Sequence, residues 1–362
     1  MDRGATGRRA ESPYSAAPAT SFWSRSVARG FDAAALLQSE TVVFRHGDRI
    51  MSAGSCFASN IVPYVERAGY SYIRTEQRCP LFHVPGENLG YDNFSAAYGN
   101  VYTSRQLVQL LNRCLGQWEP AERVWRCGDE FVDPYRPGLR YRARSAREFD
   151  LLSQQHLTCV RQAFEDATVF VFTLGLTETW MSRPDGAAFP ACPGTVAGTF
   201  DPSRHVFHNL SAGEVTSDLT TFIQTVRKIN PSLRIVLTVS PVPLVATATG
   251  GHALTATVYS KSALRVACDE ITQANRDVVY FPAYEIVTGP QAPHDFFEAD
   301  RRHVSRTAID TVMAALLAHC EGASPSINKE SDQAASVQSF AREIAEAECE
   351  EELSDGQTFA HA

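Results

Sequence analysis

The chain has 362 residues, 44% of them hydrophobic, and a formal net charge of −8. That is enough apolar material for a real core in one large domain or two small ones, and the charge argues against nucleic acid as the main partner. Much of the charge is local: Glu343, Glu346, Glu348, Glu350, Glu351, Glu352 and Asp355 crowd the C-terminal end, leaving the body close to neutral.

Residues 1–20 are rich in Ala, Ser, Gly and Pro without periodicity and read as a disordered arm, with Phe22 and Trp23 expected to pin its end to the body. A short strand is expected over residues 41–44. Ile50 and Met51 then open an apolar run that Gly54 breaks, and Phe57, Ile61, Val62 and Val65 recur at helical spacing. This is strand, tight turn and helix, with Ser55 and Cys56 at the turn. Residues 70–103 are polar, aromatic and turn-rich, the kind of long irregular stretch that forms functional surface. A helix capped by Thr103 or Ser104 follows, with Leu107, Leu110 and Leu111 on one face. Next come a hairpin around Gly128-Asp129 and a helix over 145–166.

Three continuous apolar, β-branched runs lie at 168–174, 233–239 and 278–282, separated by amphipathic helices at about 212–229 and 258–275 and followed by one at about 305–320. Such runs suit strands buried on both faces. The alternation predicts an α/β fold with a parallel, doubly wound sheet, in which ligands bind beyond the carboxyl ends of the strands. The domain is expected over residues 21–322, with an acidic disordered tail over 323–362.

That rule directs attention to Ser55. At the start of a helix its hydroxyl is either an N-cap or a nucleophile beside amides that stabilise an oxyanion. Asp300 and His303 stand three apart on a turn leading into the last helix, so the carboxylate can reach Nδ1–H and fix the tautomer. The order Ser…Asp…His then places three catalytic residue types at strand ends that share one rim. Cys56 is either a thiolate nucleophile or a small buried residue. His205 and His208 have i, i+3 spacing but only Glu214 as a nearby third ligand and no HExxH, so no metal is expected. Asp133 and Arg136 suit a lid or a structural turn. Lys261 and Arg265 read as a solvated helix face. The aromatics of 70–102, with Trp180, suit either sugar stacking or the core.

Gly54-Ser55-Cys56-Phe57-Ala58 matches the signature of the GSCFA family, which resembles the SGNH/GDSL hydrolases. Tyr98-Gly99-Asn100-Val101-Tyr102-Thr103, Phe131-Val132-Asp133-Pro134-Tyr135-Arg136-Pro137, Leu174-Gly175-Leu176-Thr177-Glu178-Thr179-Trp180, Phe207-His208-Asn209-Leu210-Ser211, Ser240-Pro241-Val242-Pro243-Leu244, Tyr259-Ser260-Lys261-Ser262 and Asp300-x-x-His303 resemble its successive blocks, over about 45–320. The resemblance implies a three-layer α/β/α sandwich and ester chemistry: Ser55 attacks an acyl carbonyl, His303 is base and then acid, and Asp300 orients it. The oxyanion would be held by amides at Ser55 and Cys56, with Gly99 and Asn100 as further donors.

The chain departs from the wider SGNH pattern in its third block, where an asparagine donor is usual and Gly175-Leu176-Thr177-Glu178 stands instead. Either Thr177 or Asn100 replaces the donor, while Glu178 grips a substrate hydroxyl or pairs with an arginine. With Thr177 and Glu178, Trp180, His208, Asp133 and Arg136 are candidate substrate contacts. The expected function is a serine-dependent acyl-ester hydrolase or O-acyltransferase acting through a covalent acyl-enzyme on an acylated carbohydrate or polyol. The alternative is a non-catalytic glycan- or partner-binding protein that keeps the fold. The expected partner is a small-molecule or glycan ester, without cofactor or nucleic acid.

Nine cysteines, an odd number with no C-x-x-C pair, argue against a disulfide framework or zinc ribbon and suit a reducing compartment. No apolar region follows Arg3, Arg8 and Arg9, and no run of about twenty apolar residues stands out as an integral membrane segment. A cytoplasmic location is expected.

Overall fold

A computed structural model describes residues 12–77, 90–91 and 93–322; the expected acidic tail and the start of the arm lie outside them. After a short helix α1 (Trp23–Ser26), strand β1 (Arg49–Gly54) runs into a 3-10 turn (Cys56–Asn60) and helix α2 (Ile61–Arg67). Strand β2 (Ser71–Tyr72) follows, then helix α3 (Ser104–Cys114), the hairpin β3 (Trp125–Cys127) and β4 (Glu130–Val132), and helix α4 (Ala146–Asp166). Strand β5 (Val169–Leu174) leads to three further strands, β6 (Glu178–Ser182), β7 (Ala188–Phe189) and β8 (His205–Asn209). The described residues continue with α5 (Ala212–Val226), β9 (Arg234–Val239), α6 (Ala253–Ala274), β10 (Val278–Tyr280), α7 (Ala283–Thr288) and α8 (Arg306–Leu317).

The central sheet has five parallel strands in the order β10-β9-β5-β1-β2. Every residue of β5 is buried, and its side chains alternate between two cores. Phe170, Phe172 and Leu174 join α3, α4, α5 and α6 on one face; Val169 and Val171 join α2, α7 and α8 on the other. The result is a helix–sheet–helix sandwich, as the buried apolar runs predict. Phe164 packs edge-on against Phe170 and Phe222 in the first core, at 5.4 and 5.7 Å between ring centres. Truncating Phe170 there to alanine would cost about 3–5 kcal/mol.

The chain leaves β1 for β2 at one edge, then returns on the other side of β1 to build β5, β9 and β10. The strand order therefore reverses between β1 and β5, which is where such sheets open a crevice at their carboxyl ends. Gly54 makes the close pairing there possible. Its φ is +148°, and a Cβ would stand 2.4 Å from the Thr173 carbonyl oxygen.

Several expectations change. Residues 41–44 form no strand; Phe44 makes an isolated bridge to Cys320, and Val43 N–H donates to the His319 carbonyl at 2.8 Å. Trp23 is 63% exposed and pins nothing. Helix α6 begins at Ala253, because the His252 ring accepts from the Leu254 amide and starts the helix earlier than its apolar spacing indicates. The largest addition is an antiparallel sheet, in the order β7-β6-β8, inserted between β5 and α5.

Candidate active site

Ser55 ends the turn out of β1 with extended backbone angles (φ −74°, ψ 176°) and makes no side-chain cap to the 3-10 helix it precedes. The N-cap reading therefore fails. Its Oγ is buried and has no hydrogen-bond partner among the described residues. A buried hydroxyl left unpaired costs free energy and calls for a reason. Its backbone N–H is already engaged, donating to the Thr173 carbonyl at 3.3 Å.

The segment after β5 covers this serine. A Cβ on Gly175 would lie 3.2 Å from both Ser55 Cβ and the Tyr102 carbonyl oxygen, so only glycine leaves both neighbours undisturbed. The Gly175 and Leu176 amides both donate to that Tyr102 carbonyl, at 2.9 and 3.2 Å. From α6, Lys261 Nζ donates to the Gly175 carbonyl, and Ser260 Oγ accepts from the Thr177 amide at 2.9 Å. Lys261 is 1% exposed. The solvated-face reading of this lysine is thus wrong: position 261 falls on the buried side of α6, with Leu264, Ala267 and Cys268.

Residues 297–304 form a closed loop between α7 and α8, bridged at Phe297 and Val304. Arg301 at its tip has φ +58°, the one non-glycine residue in the left-handed region among those described. This turn lets the Asp300 carboxylate accept from the Arg302 and His303 amides, at 3.0 Å each, and from His303 Nδ1–H. Burial works against the carboxylate, but these bonds outweigh it and hold its pKa at about 2. With Nδ1 protonated, Nε2 is the basic nitrogen; Arg302 Nη1 approaches it at 3.4 Å.

Ser55 and Arg302 line one cavity. The serine and the loop that carries the Asp300–His303 pair thus reach the same rim of the sheet. They do not bond to one another in this structure, since Ser55 Oγ has no partner.

The family model for GSCFA matches residues 49–316, about three quarters of the chain. The chain belongs to the GSCFA family. No curated protein matches its sequence. Among solved structures it is similar to an acetyl esterase, a serine-to-alanine mutant with acetate ion, at 12% identity and a TM-score of 0.35, over 74% of this chain and 94% of that one. It is also similar to a carbohydrate esterase family 3 protein from Talaromyces cellulolyticus, at 11% identity and a TM-score of 0.34, with the same coverage. At that distance the likeness carries no inference about activity.

The GSCFA signature is thus the turn at the strand-order reversal, with its glycine required by Thr173 and its serine facing the cavity. The other expected residues divide. Glu178 and Trp180 line the cavity with Ser55. Glu178 neither pairs with an arginine nor stands open: its carboxylate accepts from Thr247 Oγ1 at 2.7 Å and from the Ala248 amide at 3.2 Å, tying β6 to the segment after β9. Thr177 is fully buried, and its hydroxyl donates to Asn209 Oδ1 at 2.6 Å, away from the cavity lining. His208 lies on β8, paired with Glu214 at 2.7 Å. Asn100 is buried beside a smaller neighbouring cavity that shares Gln106 and Pro190 with the main one, and Gly99 precedes it with φ +67°.

Asp133 and Arg136 belong to no lid. Arg136 Nη1 meets Glu76 Oε1 at 3.2 Å and its Nε meets Asp133 Oδ2 at 3.2 Å, while His156 Nδ1 bonds Glu76 Oε2 at 2.6 Å. All four residues are buried. Glu76 also accepts from the Ala97 amide at 2.8 Å, so the cluster braces the segment that leads to Gly99 and Asn100. Among the described residues no group of three or more His, Cys, Asp or Glu could hold a metal ion, and no helix is long and apolar enough to cross a membrane.

Proposed function

We propose that this chain is a serine-dependent acyl-ester hydrolase or O-acyltransferase of the SGNH type, acting on an acylated carbohydrate or polyol. The observation that carries the reading is the buried, unpartnered Ser55 Oγ at the strand-order reversal, facing a cavity that the Asp300–His303 loop also reaches. In this reading the imidazole leaves Arg302 and Nε2 accepts the Ser55 proton as Oγ attacks the ester carbonyl. Asp300 keeps Nδ1 protonated and balances the imidazolium. His303 then protonates the departing alcohol, leaving an acyl-enzyme that water or a second alcohol resolves. Because the Ser55 amide is engaged, the oxyanion falls to the Cys56 amide and to donors from the 98–102 segment, whose Val101 amide donates to the Gly54 carbonyl at 2.8 Å and so holds that segment beside the nucleophile.

One observation favours a second reading, a binding protein that keeps the fold: Nε2 faces Arg302 rather than Ser55. Hydrolysis of p-nitrophenyl acetate and of acetylated sugars by wild type, Ser55→Ala and His303→Ala separates the two. The enzyme reading expects turnover that both substitutions remove in folded protein. Absence of turnover in wild type, together with sugar binding that survives Ser55→Ala, supports the second reading.

A further inference from the structure

We propose that the cavity beside Ser55 holds the acyl half of the ester, and that this acyl group is an apolar alkyl chain rather than acetate. The inference rests on the ester chemistry proposed above and adds the substrate's chemical class.

The cavity wall is built by β6, β7 and β8 and by the segment after β9. It presents Leu176, Trp180, Phe207, Val242, Leu244 and Ala246. Ser55 and Arg302 apart, the polar side chains that line the cavity are turned to other partners. Gln106 Oε1 accepts from the Tyr102 and Thr103 amides at 2.8 and 3.1 Å. Thr179 Oγ1 donates to the Phe189 carbonyl at 3.1 Å, and Thr195 Oγ1 to the Cys192 carbonyl at 2.7 Å. Ser240 Oγ accepts from the Val242 amide at 3.3 Å, and Glu178 is held by Thr247 and Ala248. A sugar ring in this space would give up its hydration for a wall in which most polar side chains already have a partner. An alkyl chain loses nothing of that kind and gains burial.

The direction of the chain follows from the proton transfer. The leaving alcohol must depart beside the imidazole that protonates it, and His303 is not part of the cavity lining, whereas the apolar wall comes from other elements. The acyl group is therefore the half that enters, and the alcohol, including any carbohydrate, lies toward the loop of residues 297–304.

The test is kcat/KM of the full chain for p-nitrophenyl acetate, butyrate, hexanoate and octanoate, and for the pair ethyl octanoate and octyl acetate. The expected result is a rise of at least tenfold from acetate to octanoate, since each buried methylene contributes up to about fourfold, and ethyl octanoate preferred over octyl acetate. Ala246→Phe and Ala191→Phe, which place bulk on two parts of the wall, should each lower the octanoate-to-acetate ratio about tenfold or more. A profile that is flat or falls with acyl length, a preference for octyl acetate, or a ratio unchanged in both folded variants overturns the inference while leaving Ser55-dependent ester hydrolysis standing. No Ser55-dependent turnover of any ester overturns the proposed function and this inference with it.

Discussion

Two carboxylate–histidine pairs in this protein share a geometry and differ in everything around it. Asp300 and His303 sit at the rim, with side chains 41% and 20% exposed, on a loop that reaches the cavity beside Ser55. Glu76 and His156 are 3% and 2% exposed, enclosed with Arg136 and Asp133 behind the 93–100 segment. In both, a carboxylate meets Nδ1. Burial works against the charged form of Glu76, but the bonds from His156, Arg136 and the Ala97 amide outweigh it and bring its pKa down to about 2. Burial, with Arg136 nearby, pushes the imidazole of His156 below its ordinary value. A carboxylate that fixes an imidazole is therefore not itself a sign of catalysis. Solvent access, and a loop that brings Arg302 to the cavity of an unpartnered hydroxyl, separate the rim pair from the buried one.

The sharpest way to break this comparison is to remove each histidine. His303→Ala should lower kcat/KM for an ester by about 10²–10⁴-fold with the unfolding midpoint unchanged. His156→Ala should do the reverse, lowering the midpoint in urea while the folded fraction retains most of its activity. Equal losses of activity would erase the distinction. Next in size, Glu76→Ala removes one of the two buried carboxylates that Arg136 meets, and the partner of His156, and should cost about 3–5 kcal/mol in urea unfolding; a change within 0.5 kcal/mol would mean that the cluster is not load-sharing with the 93–100 segment. Lys261→Met removes the donor to the Gly175 carbonyl. It should lower kcat by about tenfold with KM nearly constant, because the segment over Ser55 loses its register rather than its substrate contacts. A KM effect alone would place Lys261 among the substrate contacts instead.

The smallest effect is in pH. Glu76 has a folded pKa of about 2 against an ordinary 4.5, so below 4.5 the unfolded chain binds a proton that the folded chain refuses. Its contribution is complete above 4.5 and is lost as pH falls toward 2. His156, also depressed, acts with the same sign: below its ordinary 6.5 the unfolded chain takes up the proton first, and stability falls with acid. Glu76→Gln should therefore flatten the acid slope of the urea midpoint between 4.5 and 2 by about one proton. An unchanged slope would contradict the assignment.

The same comparison explains what could be read from the sequence. The rim pair is local, three residues apart on a turn, so spacing exposes it. Glu76 and His156 are eighty residues apart, and nothing in either neighbourhood marks the contact. Strands β5, β9 and β10 were legible because they are continuous apolar runs, and α3 because a Thr103 or Ser104 cap precedes Leu107, Leu110 and Leu111 on one face; the structure makes Thr103 the cap, in a capping box with Gln106. The sheet of β6, β7 and β8 was not: β6 reads Glu178-Thr179-Trp180-Met181-Ser182, and its burial follows no period of two. Lys261 was read as solvated because lysine rarely lies in a core, yet its position among Ser260, Leu264, Ala267 and Ile271 on α6 was a signal that helical spacing contains. Ser55 was placed by the strand–turn–helix pattern; that its hydroxyl caps nothing required the structure.

The central claim is that Ser55 is a nucleophile activated by His303, and active-site labelling tests it most directly. Wild type, Ser55→Ala, Cys56→Ala and His303→Ala are treated with a fluorophosphonate, and the adduct is located by peptide mass. The account predicts one adduct, on Ser55, retained in Cys56→Ala, absent in Ser55→Ala and strongly slowed in His303→Ala. An adduct that persists in Ser55→Ala, or labelling of Ser55 at the same rate without the imidazole, would contradict it.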